Sequence, residues 1–267
     1  VTDSVLLIEG GPYGTTCARV GCMPSKLLIA AAEAAHHGRG AGRFGVRYDP
    51  PRIDGEAMMK RVREERDRFV GLVVEAVERW PERRRARARA RFLSDTELAL
   101  DDGRVVEADR VVIATGSRTN VPAMFAEFGD RAVTNEDVFD WTDLPDSVVV
   151  FGAGVIGLEL GQALHRLGVR VALFGKDGVV GPLTDPEVAA CARALFAAEM
   201  AFHPDGAVTR RARVGDGVEI DYRDGPARRT ARFDRALIAT GRRPNVDGLG
   251  LENTSLARDA LGVPLHD

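Results

Sequence analysis

The chain has 267 residues, 45% of them hydrophobic, with 37 basic and 40 acidic residues and a formal net charge of −3. At about 150 residues per domain, this length predicts one large or two ordinary domains with a full core. The balanced charge gives no reason to expect nucleic acid or an anionic membrane as a partner. No apolar run approaches the roughly 18 residues that span a bilayer, and no charged-then-apolar leader opens the sequence. Only three of the 37 basic residues are lysines, Lys26, Lys60 and Lys176. The bias reads as codon usage, and it makes each lysine's position worth checking. The three cysteines, Cys17, Cys22 and Cys191, are too few for a disulfide scaffold or a zinc site. A reducing, cytoplasmic setting is expected, in which a close cysteine pair is more often catalytic or metal-binding than structural.

Residues 4–8 read as a buried strand closed by Glu9-Gly10-Gly11-Pro12. Residues 27–37 are Ala- and Leu-rich and read as a helix, ended by Gly38, Gly40 and Gly42. Residues 56–80 place Met58, Met59, Val62, Phe69 and Val73 at helical spacing, the pattern of a long amphipathic helix. The arginines of residues 86–91 recur with period two, which suits a half-exposed strand better than a nucleic-acid patch. With residues 92–93, 97–100 and 104–107 they predict a small antiparallel meander turning at Asp101-Asp102-Gly103. Residues 111–114 read as a buried strand running into Thr115-Gly116-Ser117, and residues 118–145 as a connection.

The second half alternates strand and helix. Strands are expected at 147–151 and 169–174, with a helix at 155–167 capped by Gly168. A helix follows at 186–199, then short strands at 218–222 and 230–233, and a strand at 236–239 running into Thr240-Gly241. The unit Ala114-Thr115-Gly116-Ser117 is echoed by Ala239-Thr240-Gly241-Arg242, each closing a segment that contains a meander. Two related dinucleotide-type α/β domains follow from this.

Gly152-Ala153-Gly154-Val155-Ile156-Gly157 is a G-x-G-x-x-G in the context it requires, after an apolar strand and at the opening of a helix. The first glycine permits a tight turn, the second lets backbone approach a pyrophosphate, and the third lets helix and strand pack closely. The helix N-terminus adds amide donors and the positive end of its dipole. Cys17 and Cys22 form a C-x4-C pair. Five residues of straight helix rise about 7.5 Å, and a disulfide wants Cα atoms within about 7 Å. A bridge therefore needs an irregular backbone, which Gly21 would ease. The helix dipole and Lys26 would favour thiolate there. A redox pair, two unpaired thiols and half a metal site all fit the spacing.

The run from Ile8 to Lys26, with Gly14-Thr15-Thr16-Cys17 and Gly21-Cys22-Met23-Pro24-Ser25-Lys26 within it, resembles the active-site signature of the class I pyridine nucleotide-disulfide oxidoreductases. These are homodimeric flavoproteins that include dihydrolipoyl dehydrogenase, glutathione reductase and mercuric reductase. The resemblance extends through Ala114-Thr115-Gly116-Ser117, the Gly152 turn and Ala239-Thr240-Gly241-Arg242-Arg243-Pro244-Asn245, and is strongest toward the dihydrolipoyl dehydrogenase group.

The fold this implies is α/β, with two Rossmann-like FAD/NAD(P)-binding domains that carry three-stranded β-meanders. Residues 1–120 would be an FAD-binding domain lacking its first βα unit, 121–145 a connection, 146–245 an NAD(P)-binding domain and 246–267 a return toward the FAD domain. The chain would thus be truncated at both ends relative to the family. Glu9 would bind the adenosine ribose of FAD, and Gly14, Thr15, Thr16 and Cys17 would lie along its pyrophosphate. Thr115, Gly116 and Ser117 would close over FAD. Cys22 would be the charge-transfer thiol nearest the flavin, and Cys17 the interchange thiol that meets the substrate. Lys26 would sit beside the flavin, paired with Glu159. Gly152, Gly154, Gly157, Val208 and Gly241 would contact the nicotinamide nucleotide.

The implied activity is electron transfer between a dithiol/disulfide substrate, dihydrolipoamide first, and NAD(P) through FAD and a Cys17–Cys22 disulfide, with no metal. The alternatives are a non-catalytic nucleotide-binding fragment or another family activity, glutathione or mercuric reduction. An NAD-preferring site places a carboxylate about 20 residues past the glycine turn. That place falls on Gly175, followed by Lys176, which predicts that NADPH is accepted. Asp177 swinging in to serve the ribose is the competing arrangement.

Overall fold

A computed structural model describes residues 4–47, 49, 51–260 and 262–265. In chain order the elements are β1 (Leu7–Ile8), α1 (Thr16–Val20), α2 (Cys22–Gly40), α3 (Gly55–Glu78), β2 (Arg85–Ala86), β3 (Ala90–Phe92), β4 (Glu97–Leu100), β5 (Val105–Glu107), β6 (Ser117–Thr119), β7 (Ala132–Val133) and α4 (Asn135–Val138). Then come β8 (Ser147–Phe151), α5 (Val155–Arg166), β9 (Arg170–Phe174), α6 (Pro186–Glu199), β10 (Ala201–His203), β11 (Val208–Val214), β12 (Gly217–Asp224), β13 (Ala227–Phe233), β14 (Arg235–Ile238) and β15 (Arg242–Pro244). The residues group into two compact units, one of 1–15, 70–118 and 242–267, the other of 16–69 and 119–241.

The larger unit is built on a five-stranded sheet in the order β10-β9-β8-β14-β7, with parallel pairing throughout. Parallel strands are covered on both faces and so read as unbroken apolar runs. β8, Ser-Val-Val-Val-Phe, is buried at every position. Its side chains alternate between two cores. Val148 and Val150 join Leu28, Met59, Val62, Leu160 and Leu164 on the helical side. Val149 and Phe151 join Phe125, Phe174, Val218, Ile220 and Phe233 on the other. That second face is covered by the antiparallel meander β11-β12-β13. The chain order along the sheet reverses between β8 and β14, the switch point at which open α/β sheets bind ligands.

The smaller unit holds the parallel pair β1–β2 and the antiparallel meander β3-β4-β5. Its core comprises Ala86, Ala88, Leu100, Phe92, Leu98 and Leu251. The turn at Asp101-Asp102-Gly103 is present, with Gly103 at φ 90°.

Several expectations are corrected. The strand expected at 4–8 is only Leu7–Ile8, half-buried and, among the described residues, paired to β2 alone. Residues 86–91 keep their period-two burial but divide into β2 and β3, because Arg89 leaves the ladder to exchange hydrogen bonds with Asp101 at 2.9 and 3.0 Å. Residues 111–114 form no strand. Val111 and Ile113 pack inward while Val112 is 87% exposed, and among the described residues no neighbouring strand supplies a ladder for the run, without which extended backbone remains a loop. The helix expected from 27 starts five residues earlier, at Cys22. The connection 118–145 contributes β7 to the sheet edge and the buried Phe125 and Phe128 to its core. The strands β10 and β11 were outside the expected set. The arginines of β11 hide its alternation, and one of them, Arg211, has its guanidinium 5.6 and 5.8 Å from the Phe125 and Phe151 ring centroids.

Gly168 closes α5 in the left-handed region at φ 97°, with open space where a Cβ would sit. Replacing it with alanine then tests backbone conformation alone. Gly168→Ala is expected to cost about 1–2 kcal/mol, read as a lower urea midpoint at unchanged m-value.

Candidate functional site

The glycine turn leaves β8 at Phe151. Gly152 has φ 116°, and its N–H donates to the Phe174 carbonyl at 2.8 Å. A Cβ on Gly152 would strike the Ala239 carbonyl, and one on Gly157 would strike the Gly152 carbonyl. The first and third glycines are therefore fixed by strand–helix packing. Gly154 differs. It is the N-cap of α5, with no side-chain cap, and a Cβ there would meet nothing within 4 Å. Open space over uncapped first-turn amides suits a pyrophosphate, so the residues present fit the phosphates of a dinucleotide.

The echoed turns are held alike. Asn120 N–H donates to the Gly241 carbonyl at 2.9 Å in one unit, and Asn245 N–H to the Gly116 carbonyl at 2.9 Å in the other. Each glycine has positive φ, 110° and 68°, and each asparagine lies four residues past the glycine of its own Ala-Thr-Gly run, Gly116 or Gly241, while bonding the glycine of the other.

The cysteine turn is irregular at the residue expected to break it. α1 ends at Val20, Gly21 adopts φ −133° and ψ −116°, and α2 begins at Cys22. A Cβ on Gly21 would lie 3.0 Å from the Thr16 carbonyl oxygen and 3.3 Å from the Cys17 Cα, so the close fold-back of α2 on α1 favours glycine. Both thiols are free and exposed. Amides of Cys22 and Met23 donate to Cys17 and favour its thiolate, but hydrogen bonding with the Cys22 side chain and partial desolvation prevail and push the Cys17 thiol above its ordinary value. For Cys17 this corrects the expectation that helix dipole and Lys26 favour thiolate. A residue not anticipated from sequence secures the turn. Buried Asn135 donates to the Val20 carbonyl at 2.8 Å and accepts from Thr119 Oγ1 at 2.9 Å. Its one local signal is the Thr134-to-Asp137 capping box that places it on α4.

Lys26 Nζ lies 2.7 Å from Glu159 Oε1, joining α2 to α5. The pair forms as expected, yet the side chains are 63% and 35% exposed. The buried-pair scale of several kcal/mol does not apply, and exposed pairs contribute about 1 kcal/mol or less.

The other sequence-derived residues fall as follows. Glu9 follows β1, and its carboxylate accepts the Gly11 N–H at 2.6 Å. Gly14 has φ 111°, Thr15 is exposed and Thr16 opens α1. Thr115 and Gly116 are exposed and Ser117 is half-buried. Asn245 donates to the Thr115 carbonyl at 3.0 Å, and Arg242 Nε to Ser117 Oγ at 2.8 Å. Val208 packs partly buried beside the aromatic core under the meander. Gly175 is enclosed, since a Cβ would lie 2.7 Å from the Pro204 carbonyl oxygen and 3.0 Å from Ala153 Cβ. The Lys176 side chain is 90% exposed and 3.8 Å from Asp177, itself left-handed at φ 57°. Among the described residues there is no group of three or more His, Cys, Asp or Glu able to hold a metal, and no helix long and apolar enough to cross a membrane.

A parallel sheet with a glycine turn at its switch point, and a paired-thiol helix laid on the same crossover, is the architecture of a nucleotide-binding redox protein. The family model for pyridine nucleotide-disulphide oxidoreductases matches residues 2–267, and the chain belongs to that family. It is 35% identical to dihydrolipoyl dehydrogenase 3 of Pseudomonas aeruginosa, over 97% of this chain and 57% of that protein. It is 32% identical to a mercuric reductase of Streptomyces lividans, over 99% and 57%. The HOCl-induced flavoprotein disulfide reductase RclA of Escherichia coli shares the fold, with TM-score 0.78 at 21% identity, over 98% of this chain and 57% of that one. The chain thus spans a little over half the length of these relatives.

The half-exposed geometry of the Lys26 pair sets its scale. Glu159→Gln should lower stability by about 1 kcal/mol or less, and the loss should shrink further in high salt. Urea titrations at low and high ionic strength check both.

Proposed function

We propose that the protein is a flavin-dependent oxidoreductase that exchanges electrons between a dithiol/disulfide substrate and NAD(P) through Cys17 and Cys22. The observation that carries this reading is the Gly21 fold-back, which breaks the helix between Cys17 on α1 and Cys22 at the start of α2, the irregular backbone that a bridge between them needs. In the oxidised pair, a substrate thiolate attacks Cys17 Sγ. The Cys17–Cys22 bond breaks, and Cys22 leaves as a thiolate. The second substrate thiol then displaces Cys17, closing the substrate disulfide and leaving both cysteines reduced. Bound FAD would carry the two electrons on to NAD(P)+. Gly152, Gly154 and Gly157 would seat the nucleotide phosphates, Lys26 and Glu159 would fix α2 against α5, and Glu9, Gly14, Thr15, Thr16, Thr115, Gly116 and Ser117 would hold FAD.

Dihydrolipoamide is the favoured substrate, supported by the dihydrolipoyl dehydrogenase relatives from Pseudomonas aeruginosa and Thermus scotoductus, at 35% and 32% identity. A homodimeric, cytoplasmic protein belongs to the same reading. Peptide mapping after air oxidation is expected to find Cys17 bridged to Cys22 with Cys191 free, in a protein showing a flavin spectrum. A bridge to Cys191, or two cysteines that stay free, contradicts it.

The enclosure of Gly175 bears on nucleotide choice. No carboxylate-bearing side chain fits there, and Lys176 stands exposed next to it. A 2′-phosphate would meet no fixed negative charge at that position, and a contact with Lys176 would add about 1.5–3 kcal/mol. Steady-state rates should show NADPH used at least comparably to NADH. An NADH preference of about 100-fold would place a carboxylate, Asp177 first, in control of the site.

A further inference from the structure

The helix that starts at Cys22 is tied to α5 twice. Lys26 meets Glu159, and seven residues later on both helices Glu33 Oε1 meets Arg166 Nη1 at 2.5 Å. The polarity is reversed between the two pairs. Matched seven-residue spacing means that α2 and α5 run parallel and in register, as paired helices of a coiled coil do. Leu28 and Ala32 of α2 share one buried cluster with Leu160 and Leu164 of α5.

The two ties are unequal. The Lys26 pair is largely exposed, whereas the Arg166 side chain is only 16% exposed. Arg166 is also anchored from behind. Its Nε and Nη2 fork onto the two carboxylate oxygens of Glu199 on α6, at 2.5 and 3.2 Å. Glu199 in turn accepts from Gln162 at 2.6 Å. Arg39, near the end of α2, donates to the Arg166 carbonyl at 2.5 Å. A bidentate, part-buried guanidinium fixes direction as well as distance, which an exposed lysine does not. Sliding α2 by one turn would carry Cys22 about 5.4 Å along the helix axis, and would separate both pairs.

We propose that Arg166 is a positioning residue that, through Glu33, sets the register of α2 on α5 and so holds Lys26 on Glu159, one turn from Cys22. The functional weight of this rests on the reading of Cys22 as a redox thiol; the register itself does not.

The test reads Lys26 directly. Lysines are reductively methylated with ¹³C, which keeps their charge, and the Lys26 signal is assigned by its loss in Lys26→Arg. Glu159→Gln gives the signal of an unheld Lys26. Arg166→Met and Glu33→Gln are each expected to move the Lys26 signal to that position, and Arg166→Lys, which keeps charge but loses the fork, to fall between it and wild type. A merely structural role would lower the thermal midpoint and leave the Lys26 signal where wild type has it, which would overturn the proposal. Should Arg166→Met fail to fold, Glu33→Gln decides, because that side chain is 40% exposed and its loss strands no buried charge. Mapping of the Cys17–Cys22 bridge on the same samples reports separately on the redox reading.

Discussion

The parallel seating of α2 on α5 is the constraint on which the rest depends. Both helices begin four residues before their paired charges, Cys22 before Lys26 and Val155 before Glu159. Their N-termini therefore open at the same level, one carrying the thiol and the other the uncapped amides of the glycine turn. Leu28, Ala32, Leu160 and Leu164 supply the burial that holds the seam. The ion pairs add little energy by comparison, and choose among the registers that an apolar seam alone would permit.

Close packing carries that arrangement into the sheet. Gly152 has no room for a side chain because β14 continues into Ala239 directly against it, and Gly157 has none because the Gly152 carbonyl lies against it. At Gly21 the room is tight, because the Thr16 carbonyl lies under it. Glycines at these places let backbone meet backbone, and the resulting turns are rigid without any side chain of their own. Gly154, by contrast, is open, so the one glycine that packing does not demand is the one a phosphate would approach.

What was legible in the sequence followed from local pattern. β8, α5, β9 and α6 were readable to within about a residue, since buried parallel strands and capped helices carry their signals in short windows. The glycine turn and the cysteine turn were readable for the same reason, including the break at Gly21. The failures were non-local. Residues 111–114 have strand composition, but a strand exists only with partners. Asn135 reaches Val20, and Arg166 reaches Glu33, over 115 and 133 residues of chain, and no periodicity announces such pairs. The Lys26–Glu159 pairing was legible but its exposure was not, because pairing follows from position while burial depends on everything else that packs there.

The proposed function has Cys17 and Cys22, on either side of the break before α2, exchange electrons with a nucleotide bound at the head of α5. Anaerobic titration of the oxidised, flavin-loaded protein with NADPH, followed by rapid alkylation and peptide mapping, tests it most directly. Two-electron balance predicts about two thiols released for each NADPH oxidised, both of them at Cys17 and Cys22. NADPH oxidised with no new thiols, or thiols appearing elsewhere, would contradict the account.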